Sequence, residues 1–295
     1  MALFAAIETG GTKFLCAVGP GPDDVQSRIR IPTTTPEETL AAVLSFFEAQ
    51  GEISGLGIAC FGPIDCDPSS PRFGYITETS KPGWSNTNVA GALKEGLGVP
   101  VSFDTDVNGA ALGEAVGGAG RGLDDFVYVT VGTGIGGGAF VGGKLLRGLV
   151  HTEMGHMNVL RHVDDDFEGI CPFHGDCLEG LACGPAIEAR WGAKAEDLPP
   201  EHPAWRFQSH YLAQMCANLT AILSPERIIL GGGVLQSAGL IENVREEFTA
   251  CFNNYLPTLK RAGGVEAYIV PPALGESSAL YGAFTAAQDI VLKQS

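Results

Sequence analysis

The chain has 295 residues, 45% of them hydrophobic, a mean hydropathy of +0.14 and a formal charge of −16. That is enough apolar material for two ordinary domains or one large one, and too much for a disordered chain. The acidic balance disfavours a nucleic-acid backbone as partner, and no segment reaches the roughly 18 consecutive apolar residues of a membrane span. The start, MALFAAIETGG, has no basic region ahead of its short apolar run, so no secretory signal is expected. The eight cysteines are accordingly read as reduced, and the protein as cytoplasmic.

In chain order, LFAAIETGGTKFLCAVG (3–19) reads as strand, glycine turn, strand. TPEETLAAVLSFFEAQG follows with a helical period: Leu40, Val43, Leu44 and Phe47 share one face, Thr35 suits the N-cap and Pro36 the first turn. ISGLGIACFGPID is a buried strand running into a Gly-Pro turn. After a loop containing KPGW come a short helix at 88–97, a strand VPVSFDTD and a helix starting just after Asp106.

A second run then repeats the first. FVYVTVGTGIGGGAFVGG (126–143) is again strand, glycine turn, strand. Beyond it lie a Cys/His-rich segment, a helix at about 203–223, a strand ending RIILGGGV, a helix at about 237–256, a strand EAYIVPP and a last helix from about Gly275. The repetition predicts two similar α/β halves facing each other across a cleft, with ligands at the carboxyl ends of strands. The boundary is expected near Gly117–Gly120, giving domains 1–117 and 118–295, with a final helix that can pack back on the first.

The glycine turns ETGGTK, GTGIGGG and GGGV suit close approach of a backbone to an anion, because glycine accepts positive φ and successive N–H groups form a nest. Thr12 adds a hydroxyl and Lys13 a cation. The turns lead into strands, so they are neither the P-loop nor the dinucleotide fingerprint, both of which lead into a helix. A plain hairpin role is the alternative. Asp104 and Asp106, at a strand–helix junction, are plausible turn or cap residues, and from spacing they have equal claims to act as a general base. Asn108 is either a helix-start residue or a donor. Cys171-x-x-His174-x-x-Cys177 supplies ligands for a tetrahedral Zn²⁺, with His156 and His162 both candidates for the fourth. The run Asp164-Asp165-Asp166 is expected to be a solvated loop.

ETGGTK, DTDVNGAALGE, GTGIGGG, EMGH and CPFHGDCLEG, in this order, resemble the ROK family of repressors and sugar kinases over essentially the whole chain. The Cys-Pro-Phe-His-Gly-Asp-Cys run and the KPGW loop are similar to its fructokinase branch. The resemblance implies an actin-like (ribonuclease H-like) duplicated fold binding ATP and Mg²⁺, and transfer of the γ-phosphoryl group to the 6-hydroxyl of D-fructose. It implies Asp106 as the base and Glu153, His156, Glu179 and Asn108 as sugar contacts, with Gly62 and Pro63 lining the sugar pocket. Trp84 would stack on the sugar or close over it, or else pack in the core. It implies nucleotide contacts at Gly10, Gly11, Thr12, Lys13, Gly132, Thr133, Gly134, Gly232 and Gly233. It also implies a structural Zn²⁺ on His156, Cys171, His174 and Cys177, and a homodimer. Two departures stand out: Glu8 occupies a position commonly Asp, and His174 one commonly Cys. Kinases for glucose, mannose or an N-acetylhexosamine are the near alternatives. A plain ATPase is a further one, against which the sugar-site residues argue. A sugar-responsive repressor would need a DNA-binding segment ahead of a strand that opens at about Leu3.

Overall fold

Thr35 Oγ1 accepts a hydrogen bond from Glu38 N at 3.3 Å and so caps the first helix, α1 (Pro36–Glu48), whose Leu40, Val43 and Phe47 are buried. The cap, the proline in the first turn and the apolar stripe all agree, which is why this element is readable from sequence. The structure is a computed structural model. It describes residues 2–79, 81–253, 255, 257–261 and 263–293.

The chain divides into two compact units. The first comprises residues 1–121, 147–151 and 277–295. Its sheet contains β1 (Leu3–Thr9), β2 (Lys13–Gly19), β3 (Ser27–Pro32), β4 (Ile53–Cys60) and β7 (Val101–Thr105), in the order β3-β2-β1-β4-β7. β1, β4 and β7 are parallel neighbours, while β2 and β3 run antiparallel. A small hairpin, β5 (Tyr75–Ile76) with β6 (Thr87–Asn88), precedes α2 (Val89–Leu97), which Asn88 caps. α3 (Asp106–Gly117) follows β7 directly, with Thr105 as N-cap, so the helix starts on Asp106 itself. α10 (Ser278–Leu292) packs on α3 and the sheet. Ile7, Phe14, Phe47, Leu56 and Leu93 lie in this unit's core.

The second unit comprises residues 122–146 and 152–276. Its sheet repeats the plan: β8 (Phe126–Val131), β9 (Ile135–Val141), β10 (Lys144–Leu145), β11 (Arg227–Gly231) and β12 (Ile269–Val270), in the order β10-β9-β8-β11-β12. Again a hairpin comes first and the parallel strands follow. The helices are α4 (Leu178–Ala182), α5 (Gly184–Trp191), α6 (Ala204–Leu223), α7 (Leu240–Phe252), α8 (Thr258–Arg261) and α9 (Val265–Tyr268). The long α6 supplies Tyr211, Leu212, Met215 and Cys216 to the core.

Two expected elements differ. The helix predicted at 237–256 begins only at Leu240, after Gly239 at φ +79°, and ends at Phe252 because Asn253 is left-handed; its predicted end, residue 256, lies outside the described residues. EAYIVPP is a strand only at Ile269–Val270. The preceding Val265–Tyr268 is helical, and Tyr268 is buried with its hydroxyl 2.8 Å from Thr220 Oγ1. That tertiary anchor overrides the local β preference. No helix among the described residues is long and apolar enough to cross a membrane.

Candidate active site

In the first unit the parallel strands β1, β4 and β7 end side by side, and their carboxyl ends deliver most of that unit's candidate residues. β1 runs into the turn Gly10–Thr12, where Gly10 N donates to Lys13 O at 2.9 Å and Thr33 Oγ1 donates to Gly10 O at 2.7 Å. β4 runs into Gly62–Pro63, a cis peptide. Thr9, 1% exposed, ties the two ends together: its hydroxyl donates to Cys60 Sγ at 3.2 Å and accepts from Phe61 N at 3.0 Å. β7 runs into Asp106.

Asp104 and Asp106, equal by spacing, are unequal in the structure. Asp104 is engaged by Arg147 Nη2 at 2.6 Å, by Asn108 Nδ2 at 2.7 Å and by Thr105 N at 2.8 Å. Asp106 is the first residue of α3, accepts from Val107 N at 2.9 Å and is half-buried. A carboxylate there is favoured by the positive end of the helix dipole. Asn108 is 2% exposed, and its amide orients Asp104.

Trp84 is a correction. It is 0% exposed, its Nε1 donates to Thr34 O at 2.9 Å, and its ring packs 5.3 Å from Phe14 and 5.9 Å from Phe61. A fully buried ring has no face left for a sugar, so Trp84 is a core residue.

In the second unit β8 and β11, parallel neighbours, run into Gly132 and Gly232. Gly232 has φ +95°, and a Cβ there would lie 2.3 Å from Val131 O, so only glycine fits. Gly132 O accepts from Gly184 N at 2.7 Å, which draws the start of α5 to the same turn. A cavity of about 790 Å³ opens here, lined by Gly132, Thr133, Gly184, Lys194, Gly233 and Glu276 among others. Glycine backbone and polar side chains together in its lining suit a nucleotide.

Glu179, on α4, reaches the same glycine turn. Its Oε2 accepts from Ile135 N at 2.8 Å and lies 2.7 Å from where a Cβ on Gly134 would be. Its Oε1 lies 3.9 Å from His156 Nε2. His156 closes a 3-10 turn (Met154–His156) that begins immediately after Glu153.

The ligand atoms of His156, Cys171, His174 and Cys177 lie within 4.8 Å of one another. His156 Nδ1 is 3.5 Å from Cys177 Sγ and 3.7 Å from Cys171 Sγ, and His174 Nδ1 is 3.6 Å from Cys171 Sγ. A tetrahedron with metal–ligand bonds of about 2.0–2.3 Å has edges of about 3.3–3.8 Å, so the spacing and the two-thiol, two-imidazole donor set fit Zn²⁺. His162, the other candidate, stands apart, its ring 5.1 Å from Phe207 and 4.9 Å from His210. Burial pushes its imidazole below the usual histidine range.

The acidic run needs a second correction. Asp165 is 8% exposed, bonded to Arg190 Nη2 at 2.9 Å and to the Tyr211 hydroxyl. Burial lowers the Arg190 pKa and raises that of Tyr211 to about 12. Arg190 also lies over the Phe167 ring at 4.6 Å. Nothing in Asp-Asp-Asp distinguishes the middle residue; the distinction comes from a partner 25 residues away.

A profile of the ROK family matches residues 4–290. The chain belongs to the ROK family. It is 43% identical to a fructokinase of Pediococcus pentosaceus, over 97% of this chain and 98% of that one. It is 45% identical to a fructokinase of Zymomonas mobilis, over 97% and 96%. Among solved structures it is similar to a ROK hexokinase of Thermus thermophilus, at 29% identity and a TM-score of 0.78, covering 99% of this chain and 100% of that one. The duplicated sheets of this ROK protein are accordingly those of the actin-like ATPase fold.

Proposed function

We propose that the chain is an ATP-dependent fructokinase that transfers the γ-phosphoryl group to the 6-hydroxyl of D-fructose. The observation that carries this reading is identity of 40–46% to fructokinases over nearly the whole chain. Relatives named glucokinase match at only 26%.

In this reading Asp106 holds the 6-hydroxyl in line and accepts its proton as the new P–O bond forms. An ordinary aspartate is ionised at neutral pH and needs no activation for this. Glu153, His156 and Glu179 take hydrogen bonds with the sugar, while Asn108 acts by orienting Asp104 beside the base. Gly62 and Pro63 form a wall of the sugar pocket. Backbone N–H groups at Gly11, Gly134, Gly232 and Gly233, with Thr12, Lys13 and Thr133, hold the phosphates, while Gly10 and Gly132, whose N–H groups close their turns onto Lys13 O and Gly134 O, let the backbone approach them. Mg²⁺ would neutralise charge on the β- and γ-phosphates. His156, Cys171, His174 and Cys177 would hold a structural Zn²⁺, closed by protein ligands. Family resemblance supports a homodimer and a cytoplasmic location.

The role of Asp106 is tested by Asp106→Asn. Turnover should fall by roughly 10²–10⁴-fold, with fructose affinity by calorimetry nearly unchanged. Near-normal turnover would remove Asp106 from the mechanism.

A further inference from the structure

Glu114 is a buried carboxylate for which the proposed chemistry has no use. It is 0% exposed and sits in the last part of α3, about 12 Å of helix rise from Asp106 at 1.5 Å per residue. Its Oε1 accepts from Ser278 Oγ at 2.7 Å, and its Oε2 accepts from Ala119 N at 2.6 Å. Its main-chain oxygen accepts from Gly118 N at 3.1 Å and Gly120 N at 3.0 Å. Burying a carboxylate is costly unless both oxygens are bonded, and here each oxygen is bonded to a different stretch of chain.

Those stretches are special in the connectivity. Ala119 lies in the segment by which the chain leaves the first unit, whose opening portion ends at Arg121. Ser278 lies where the chain re-enters it for the last time, at Ser277. One side chain therefore fastens both the first exit and the last return to the helix that begins at Asp106.

The backbone packing leaves that helix little slack. A Cβ on Gly113 would lie 2.1 Å from Ser278 O, and one on Gly282 would lie 1.8 Å from Gly109 O. α3 and α10 thus touch backbone to backbone, with contact distance set by glycines and register set by the Glu114–Ser278 bond.

We propose that Glu114 is a positioning residue for phosphoryl transfer: it locks the Asp106-bearing helix in register with the segment by which the chain first leaves the first unit and the segment by which it finally returns. The inference rests on Asp106 being the base. Misplacement of a catalytic group by about 1 Å can cost on the order of 10²-fold in rate.

The test compares Glu114→Ala, Glu114→Gln and Ser278→Ala. Glutamine keeps an oxygen for Ala119 N–H and offers Nε2–H to Ser278 Oγ, whose hydroxyl then accepts. Glu114→Ala should lower kcat by about 30–100-fold while KM for fructose stays within about 3-fold. Glu114→Gln should restore kcat to within about 3-fold of wild type, and Ser278→Ala should fall between. A merely structural role would change melting temperature and folded fraction, yet leave kcat unchanged per fructose-binding molecule, counted by calorimetric stoichiometry. That result overturns the proposal. If Glu114→Ala does not fold, Ser278→Ala decides: unchanged kcat overturns the proposal and reduced kcat at constant KM supports it. Asp106→Asn with retained turnover would instead remove the base assignment on which the inference rests.

Discussion

His156 faces Glu179 with one ring nitrogen and the thiols with the other: Nε2 lies 3.9 Å from Glu179 Oε1, while Nδ1 lies 3.5 Å from Cys177 Sγ. A metal on Nδ1 leaves the proton on Nε2, aimed at the carboxylate. The Cys/His cluster and Glu179 are thus joined through a single imidazole.

Removal of the metal follows from this link. One Zn²⁺ per chain is expected by elemental analysis. Stripping it, or Cys177→Ser, should lower kcat/KM for fructose by about 10–100-fold. An active enzyme without zinc would show that the cluster does not hold the sugar residues in place.

Glu179 Oε2 accepts from Ile135 N at 2.8 Å, while its Oε1 faces His156 Nε2 at 3.9 Å. Glu179→Gln places an amide donor against either the Ile135 N–H or the His156 Nε2–H. Losing a charge-assisted bond of about 1.5–3 kcal/mol corresponds to about 10–150-fold in kcat/KM for fructose. Steady-state kinetics with fructose varied would measure it; an unchanged constant would place the sugar elsewhere.

Trp84 belongs to the core, so its substitution should be read in stability and not in sugar affinity. Trp84→Phe leaves the Thr34 carbonyl without its indole donor and should cost about 1–3 kcal/mol in urea unfolding. KM for fructose should not move. A raised KM with unchanged stability would restore a contact with the sugar.

The Asp165–Arg190 pair, with side chains 3% and 8% exposed, is deep enough for its loss to matter. Asp165→Ala strands a buried guanidinium and should destabilise by about 3–5 kcal/mol. Asp164→Ala, on the exposed side of the run with a side chain 56% exposed, should cost less than about 1 kcal/mol. Chemical denaturation of the two variants separates them.

What the sequence displays are features that act locally. The α1 cap and stripe, the extent of α6 and the glycine turns are set by neighbouring residues, and Gly232 at φ +95° is a position only glycine fills well. The Cys171–His174–Cys177 spacing announces a metal because those residue types rarely gather otherwise, and the repeated hairpins announce two related sheets. What it hides are features set by distant partners. Asp165 is set apart from its neighbours by Arg190 and Tyr211, Trp84 is buried by Thr34, Phe14 and Phe61, and Glu114 is tied to Ser278, 164 residues away. The break in EAYIVPP arises from the bond between Tyr268 and Thr220. Asp104, equal to Asp106 by spacing, is likewise set apart by its partners Arg147 and Asn108.

The most direct measurement is ADP release by the purified protein with ATP and Mg²⁺, comparing fructose, mannose, glucose and no sugar, with the phosphorylated carbon identified by NMR. Highest kcat/KM on fructose, with phosphate on the 6-hydroxyl, is the predicted result. Preference for another hexose would contradict the substrate assignment, and ADP release independent of sugar would contradict the kinase reading itself.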